Sequence, residues 1–103
     1  MNTPVYDNFI GGSAIPAASA RTYAVQNPAH LSDTVGEYPD SDETDVEAAV
    51  AAAQRAFPLW RQTSPYRRGE LLAAGLAAFR RRRDDLVRAV TLENGKTLRE
   101  AGE

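Results

Sequence analysis

An α+β arrangement is predicted, with short antiparallel strands and turns over residues 6–38 and three to four helices over 42–103. Three observations predict it. Gly11-Gly12 stands between two short apolar runs, Phe9-Ile10 and Ala14-Ile15. The hydrophobic period then lengthens at Asp42 from two residues to the helical repeat. Helix start and stop signals recur from there to the last residues.

The elements follow in order. Gly-Gly accepts the positive φ of a type I′ or II′ loop, so Tyr6 to Ile15 reads as a hairpin. Arg21 to Gln26 alternates, with Tyr23 and Val25 on one face and Thr22, Ala24 and Gln26 on the other. Asn27-Pro28 ends that strand, because proline cannot donate to a ladder and restrains the residue before it. Thr34 to Tyr38 is expected to form one more short strand before Pro39, and His30 is expected in a loop. These strands are short and their edges look unpaired.

Asp42 is the expected N-cap of the first helix, with Asp45 at the third helical position. Val46, Val50, Ala53, Phe57 and Trp60 form one apolar stripe. Pro58 is expected to kink or end this helix near Phe57. Ser64-Pro65 opens a second helix, whose buried face should be Leu72, Leu76 and Phe79, packed on the first stripe. Arg80 to Arg83 suit its C-terminal end. Asp84-Asp85 suit the start of a third helix, which Asn94-Gly95 should stop. Thr97-Leu98-Arg99-Glu100 reads as a capping box with almost no helix after it. Isolated helices shorter than ~12–15 residues are marginal. The expectation is therefore an incomplete domain, the front piece of something longer.

Composition narrows the function. Hydrophobic content is 43%, charged content 25% and net charge -2, ordinary values for a globular chain that does not favour nucleic acid or an anionic membrane. The charge is divided: residues 1–54 hold 8 acids and 1 base, and residues 55–103 hold 6 acids and 11 bases. There is no cysteine, so thiolate nucleophiles, thiolate metal sites and disulfides are all absent from this chain. That is compatible with the cytoplasm, the expected location. No apolar run approaches a membrane span, and no secretory signal is visible.

No phosphate-binding glycine loop, zinc-protease motif or nucleophile elbow occurs. His30, the single histidine, has no second ligand near it in sequence. Asp40, Asp42, Glu43 and Asp45 lack the glycine and terminal glutamate of a calcium loop, and helix capping accounts for them better. Arg80–Arg83 have no aromatic residues interleaved and run straight into Asp84-Asp85, so a solvated surface accounts for them better than phosphate contacts. Phe57 and Trp60 could line a pocket, but their helical spacing fits a core. Read from the residues, the chain carries no catalytic, cofactor-binding or metal-binding residue.

The order of several short patterns adds a resemblance. Phe9-Ile10-Gly11-Gly12, Val25-Gln26-Asn27-Pro28, Asp45-Val46 with Ala49-Val50 and Ala52-Ala53, Ala56-Phe57-Pro58 with Trp60, Arg68-Gly69 with Leu72, and Leu92-Glu93 with Gly95-Lys96 occur in sequence. Together they resemble the N-terminal segment of the aldehyde dehydrogenase superfamily, from about Tyr6 to Glu103. The resemblance implies an α/β, Rossmann-like intact protein, a homo-oligomer that oxidises a small aldehyde to a carboxylic acid with NAD or NADP as hydride acceptor. In that family a cysteine thiolate attacks the aldehyde, an asparagine and a backbone amide hold the oxyanion, and a glutamate assists hydrolysis. All of these lie downstream of the resembling segment, as does the cofactor-binding lysine, which Lys96 does not match. Some members bind a monovalent cation through backbone oxygens before the Asn-Pro, here Val25 and Gln26, but other ligands would be missing. Many members also carry a charged residue and a tryptophan after the Gly-Gly, where this chain has Ser13 and Ala14.

Two readings from different classes follow. One is the N-terminal fragment of an NAD(P)-dependent aldehyde dehydrogenase, inactive and binding no cofactor alone. The other is a non-catalytic helical interaction module. Nucleic acid and membrane are not expected as partners.

Overall fold

The computed structural model describes residues 2–103. Strands β1 (Asn8–Ile10) and β2 (Ser13–Ile15) form the first antiparallel hairpin. Ile10 pairs with Ser13, so Gly11-Gly12 is the whole loop, and both glycines have positive φ (61° and 84°). That is the geometry a side-chain Cβ would oppose.

Strands β3 (Thr22–Asn27) and β4 (His30–Pro39) form a second antiparallel pair. Pro28 falls in the turn, as expected. The fourth strand is longer than the sequence suggested, and His30 is its first residue rather than part of a loop. The cause is register. Asn27 pairs with His30 across a tight turn, and Asn27 Oδ1 accepts the amide of Ala29 there, so β4 begins at once. The edge of β4 is also not free. Pro4 to Tyr6 lie parallel beside it, with Tyr6 N–H donating to the Glu37 carbonyl and Glu37 N–H to the Pro4 carbonyl, both at 2.9 Å.

Helix α1 (Glu43–Gln62) starts in a reciprocal capping box built by Asp42 and Asp45. It does not end at Phe57. It passes through Pro58 and is closed by Thr63, whose amide reaches the Leu59 and Trp60 carbonyls and whose hydroxyl donates to Leu59 at 2.8 Å. Pro58 removes only its own bond to the Gln54 carbonyl, and Gln54 is exposed, so the loss of that one bond does not end the helix. Helix α2 (Pro65–Arg81) begins at the Ser64 cap, and α3 (Arg83–Asn94) ends on Gly95 at φ 83°. Helix α4 (Leu98–Ala101) is a single capped turn.

The expected helical core is not formed. Helices α1 and α2 do not pack along their lengths, and Val50, Phe57, Leu72, Leu76 and Phe79 are all more than half exposed. Trp60 is 41% exposed, so it is not a core residue, and truncating it does not remove a core. The tightest region is instead the β3–β4 pair, with Gly36 buried in β4 and α3 against the sheet, together with the buried Ala17 and Asp45 near the start of α1. The radius of gyration is 17.0 Å, against about 13 Å for a compact chain of this length. The accessible surface is 8388 Å², about 2,700 Å² more than a compact monomer of this mass exposes. The fold is open because its apolar faces point outward.

Candidate functional site

The residues singled out in the sequence stay apart. His30 is exposed at the head of β4. The acidic run is used for structure: Asp40 pairs with the Arg21 guanidinium at 3.2 Å, and Asp42 and Asp45 cap α1. Among the described residues no group of three or more His, Cys, Asp or Glu side chains is placed to share a metal ion. Arg82 and Arg83 lie near Asp85 and Asp84, and Arg83 Nη2 donates to the Gly102 carbonyl at 2.6 Å, which ties α3 to α4. The β3–β4 register slips between Val25 and Gln26 and again between Gln26 and Asn27.

Three arrangements were not visible in sequence. Asp45, 8% exposed, accepts the Ala18 amide on Oδ1 and the Asp42 amide on Oδ2, so one carboxylate fastens the turn after β2 to the start of α1. Tyr6 stacks on Tyr38 with ring centroids 5.0 Å apart, over the gap left by Gly36. The Tyr38 hydroxyl donates to the Glu93 carboxylate and clasps β4 to α3. Only Gly36 left a trace in the sequence, since a glycine inside a strand signals close approach.

The clasp has a pH consequence. The Glu93 hydrogen bond, then burial, push the Tyr38 phenol from its ordinary 10.0 up to about 12. The neutral phenol is the form the fold favours. Its stabilisation is therefore complete below pH 10 and is lost as pH rises from 10 to about 12. Because the clasp is partly open to solvent, the loss should be only ~1 kcal/mol. Denaturant melts at pH 8 and 12 check this: the parent chain should lose more stability than Tyr38→Phe over that interval.

One broad surface groove is mostly apolar. The Phe9–Gly12 loop and the Ala49, Ala52 and Ala56 side of α1 border a groove of about 600 Å³. The Val46–Trp60 stripe runs beside it, and the Leu72–Phe79 stripe stands on α2. The Gly11-Gly12 pair joins two antiparallel strands, whereas dinucleotide phosphate is held where a glycine loop leads from a strand into a helix. No helix among the described residues is long and apolar enough to cross a membrane.

Comparison with known proteins gives these features a setting. The aldehyde dehydrogenase family profile matches residues 15–103. Malonate-semialdehyde dehydrogenase of Bacillus pumilus is 43% identical over 94 residues, which are 91% of this chain and 19% of that protein. The mitochondrial methylmalonate-semialdehyde/malonate-semialdehyde dehydrogenase (acylating) of Rattus norvegicus is 36% identical over 100 residues, 97% of this chain and 18% of that protein. The crystal structure of an NAD-dependent aldehyde dehydrogenase from Sinorhizobium meliloti superposes with a TM-score of 0.93 at 30% identity, over 98% of this chain and 20% of that one. The chain thus spans about a fifth of the length of these relatives. With the ordered patterns from Phe9 to Lys96, the two hairpins and the four helices matching together, the chain belongs to the aldehyde dehydrogenase family as its N-terminal segment.

Proposed function

We propose that this chain is the non-catalytic N-terminal scaffold of an enzyme that oxidises a small aldehyde to a carboxylic acid with NAD or NADP, and that residues 1–103 form an incomplete domain. The observation that carries the reading is the open apolar face, on a chain that matches about a fifth of its relatives. A scaffold segment needs such a face, and a self-contained enzyme does not. The names of the relatives suggest a semialdehyde as the substrate class. The intact protein would be a cytoplasmic homo-oligomer. No residue of this chain is assigned to catalysis, to cofactor or to metal. The absence of cysteine supports that, because the family resemblance implies a thiolate nucleophile.

The chain alone should give no turnover. Incubation with NAD or NADP and a panel of semialdehydes should show reduced-cofactor absorbance equal to a protein-free blank. A chimera of the Bacillus pumilus enzyme, with its matching segment replaced by this chain, should still reduce cofactor. Turnover by the chain alone, or a soluble folded chimera without activity, would count against the scaffold reading.

A further inference from the structure

We infer that the corner between α1 and α2 is an ion-pair docking point, where Arg68, held by Trp60, takes the carboxylate of an Asp or Glu side chain from the rest of the enzyme. The inference rests on the scaffold reading and names the chemistry that fastens the scaffold to the body it serves.

The starting point is a cation without an anion. Arg68 stands near the start of α2, is partly buried, and among the described residues forms no ion pair. Its Nε–H is shut away from solvent and has no hydrogen-bond acceptor, while the two Nη groups are not closed off in this way. A guanidinium that has given up water without gaining an acceptor is electrostatically incomplete, and a carboxylate on its open Nη edge completes it. The surroundings supply none. From Arg55 to Gly69 the chain carries four arginines and no acid. Glu70 answers Arg67, at 2.9 Å, and so is already engaged.

Trp60 prepares the site. The Arg68 guanidinium carbon lies 6.0 Å from the Trp60 ring centroid, within cation–π range. An indole holds a guanidinium through its flat face, which restrains the side chain and leaves the in-plane N–H groups free. A carboxylate is bound bidentately along that same free edge. The rim is apolar: Trp60 is 41% exposed, and Phe57, one turn before it, and Leu72, one turn after Arg68, are more than half exposed. Tryptophan and arginine are the residue types that dominate binding energy when such a patch is covered. The rim is continuous with the apolar stripes that a scaffold presents to the rest of its enzyme. The carboxylate is therefore assigned to that body rather than to a free small anion, which would leave the rim uncovered.

The test uses the full-length chimera with the Bacillus pumilus enzyme. With Arg68→Lys, a carbodiimide should couple the lysine amine to the paired carboxylate. Peptide mass spectrometry should then find residue 68 joined to an Asp or Glu outside residues 1–103 of the same polypeptide. Arg68→Lys keeps the charge and should melt within about 2 °C of the parent chimera, whereas Arg68→Met should melt about 3 °C or more below it. Arg68→Glu should lose at least as much, and combining it with lysine in place of the acid found by coupling should recover the loss. Cofactor reduction by the parent chimera reports separately on the scaffold reading, so an active chimera without this bond refutes the ion pair alone. No bond at residue 68, a bond only to acids within residues 1–103, a bond only between protomers, an Arg68→Met chimera that melts with the parent, or no recovery on charge exchange would each overturn the docking point.

Discussion

Asp45→Ala is expected to cost ~1–3 kcal/mol, because two backbone donors in part-buried hydrogen bonds lose the one carboxylate they share. Oδ1 takes the Ala18 amide at 2.9 Å and Oδ2 takes the Asp42 amide at 3.0 Å. The first bond spans the turn after β2, and the second completes the capping box of α1. Alanine leaves both amides without a protein partner and frees the turn around the buried Ala17. Asp45→Asn should cost nearly as much, since an amide offers one acceptor oxygen and would turn its own N–H₂ toward the other donor. Denaturant melts measure the loss, and hydrogen exchange locates it in the Ala18 and Asp42 amides. Asp45→Asn with parent stability would mean that a single acceptor is enough.

The local grammar of the chain was legible in sequence, and its packing was not. Gly11-Gly12, Asn27-Pro28, Asp42, Ser64-Pro65, Gly95 and Thr97 each sit at the boundary expected of them. Turns and caps depend on a few neighbouring residues, so their chemistry reads directly from order. Pro58 misled because the rule for proline concerns one carbonyl, and an exposed helix can give that carbonyl to water. The stripe Val46 to Trp60 misled differently. An apolar stripe states that a face is to be covered, but it does not name the cover. In this chain α2 is splayed away, so the face is a surface rather than a core. The same limit hid Asp45. Its place at the third helical position announced a cap, while its bond to Ala18, 27 residues earlier, depends on how β2 meets α1. The family membership was legible because it rests on the order of local patterns.

The second large effect is expected at Gly36. A Cβ built there would lie 2.8 Å from Tyr6 Cε2 and 3.3 Å from Tyr38 Cε2. Residues 36 and 38 share a face of β4, so the ring of Tyr38 leans over its neighbour and Tyr6 closes the stack from the N-terminal arm. Gly36 is buried beneath that stack, and the contact is ring against backbone space. Gly36→Ala should force Tyr6 outward and forfeit the stacking, at ~1–3 kcal/mol for overpacking and lost ring contact together. The β3–β4 ladder should survive, because its pairing does not involve Tyr6. The Tyr6 and Glu37 amides, which bond across the arm, should therefore exchange faster than those of Tyr23 and Ala24. A double-mutant cycle isolates the cause. In a Tyr6→Ala background the clash partner is gone, so Gly36→Ala should cost a few tenths of a kcal/mol at most, and beyond that only the crowding against Tyr38 remains. Equal cost in both backgrounds would assign the strain to Tyr38 and release the N-terminal arm from any part in the stability of this sheet.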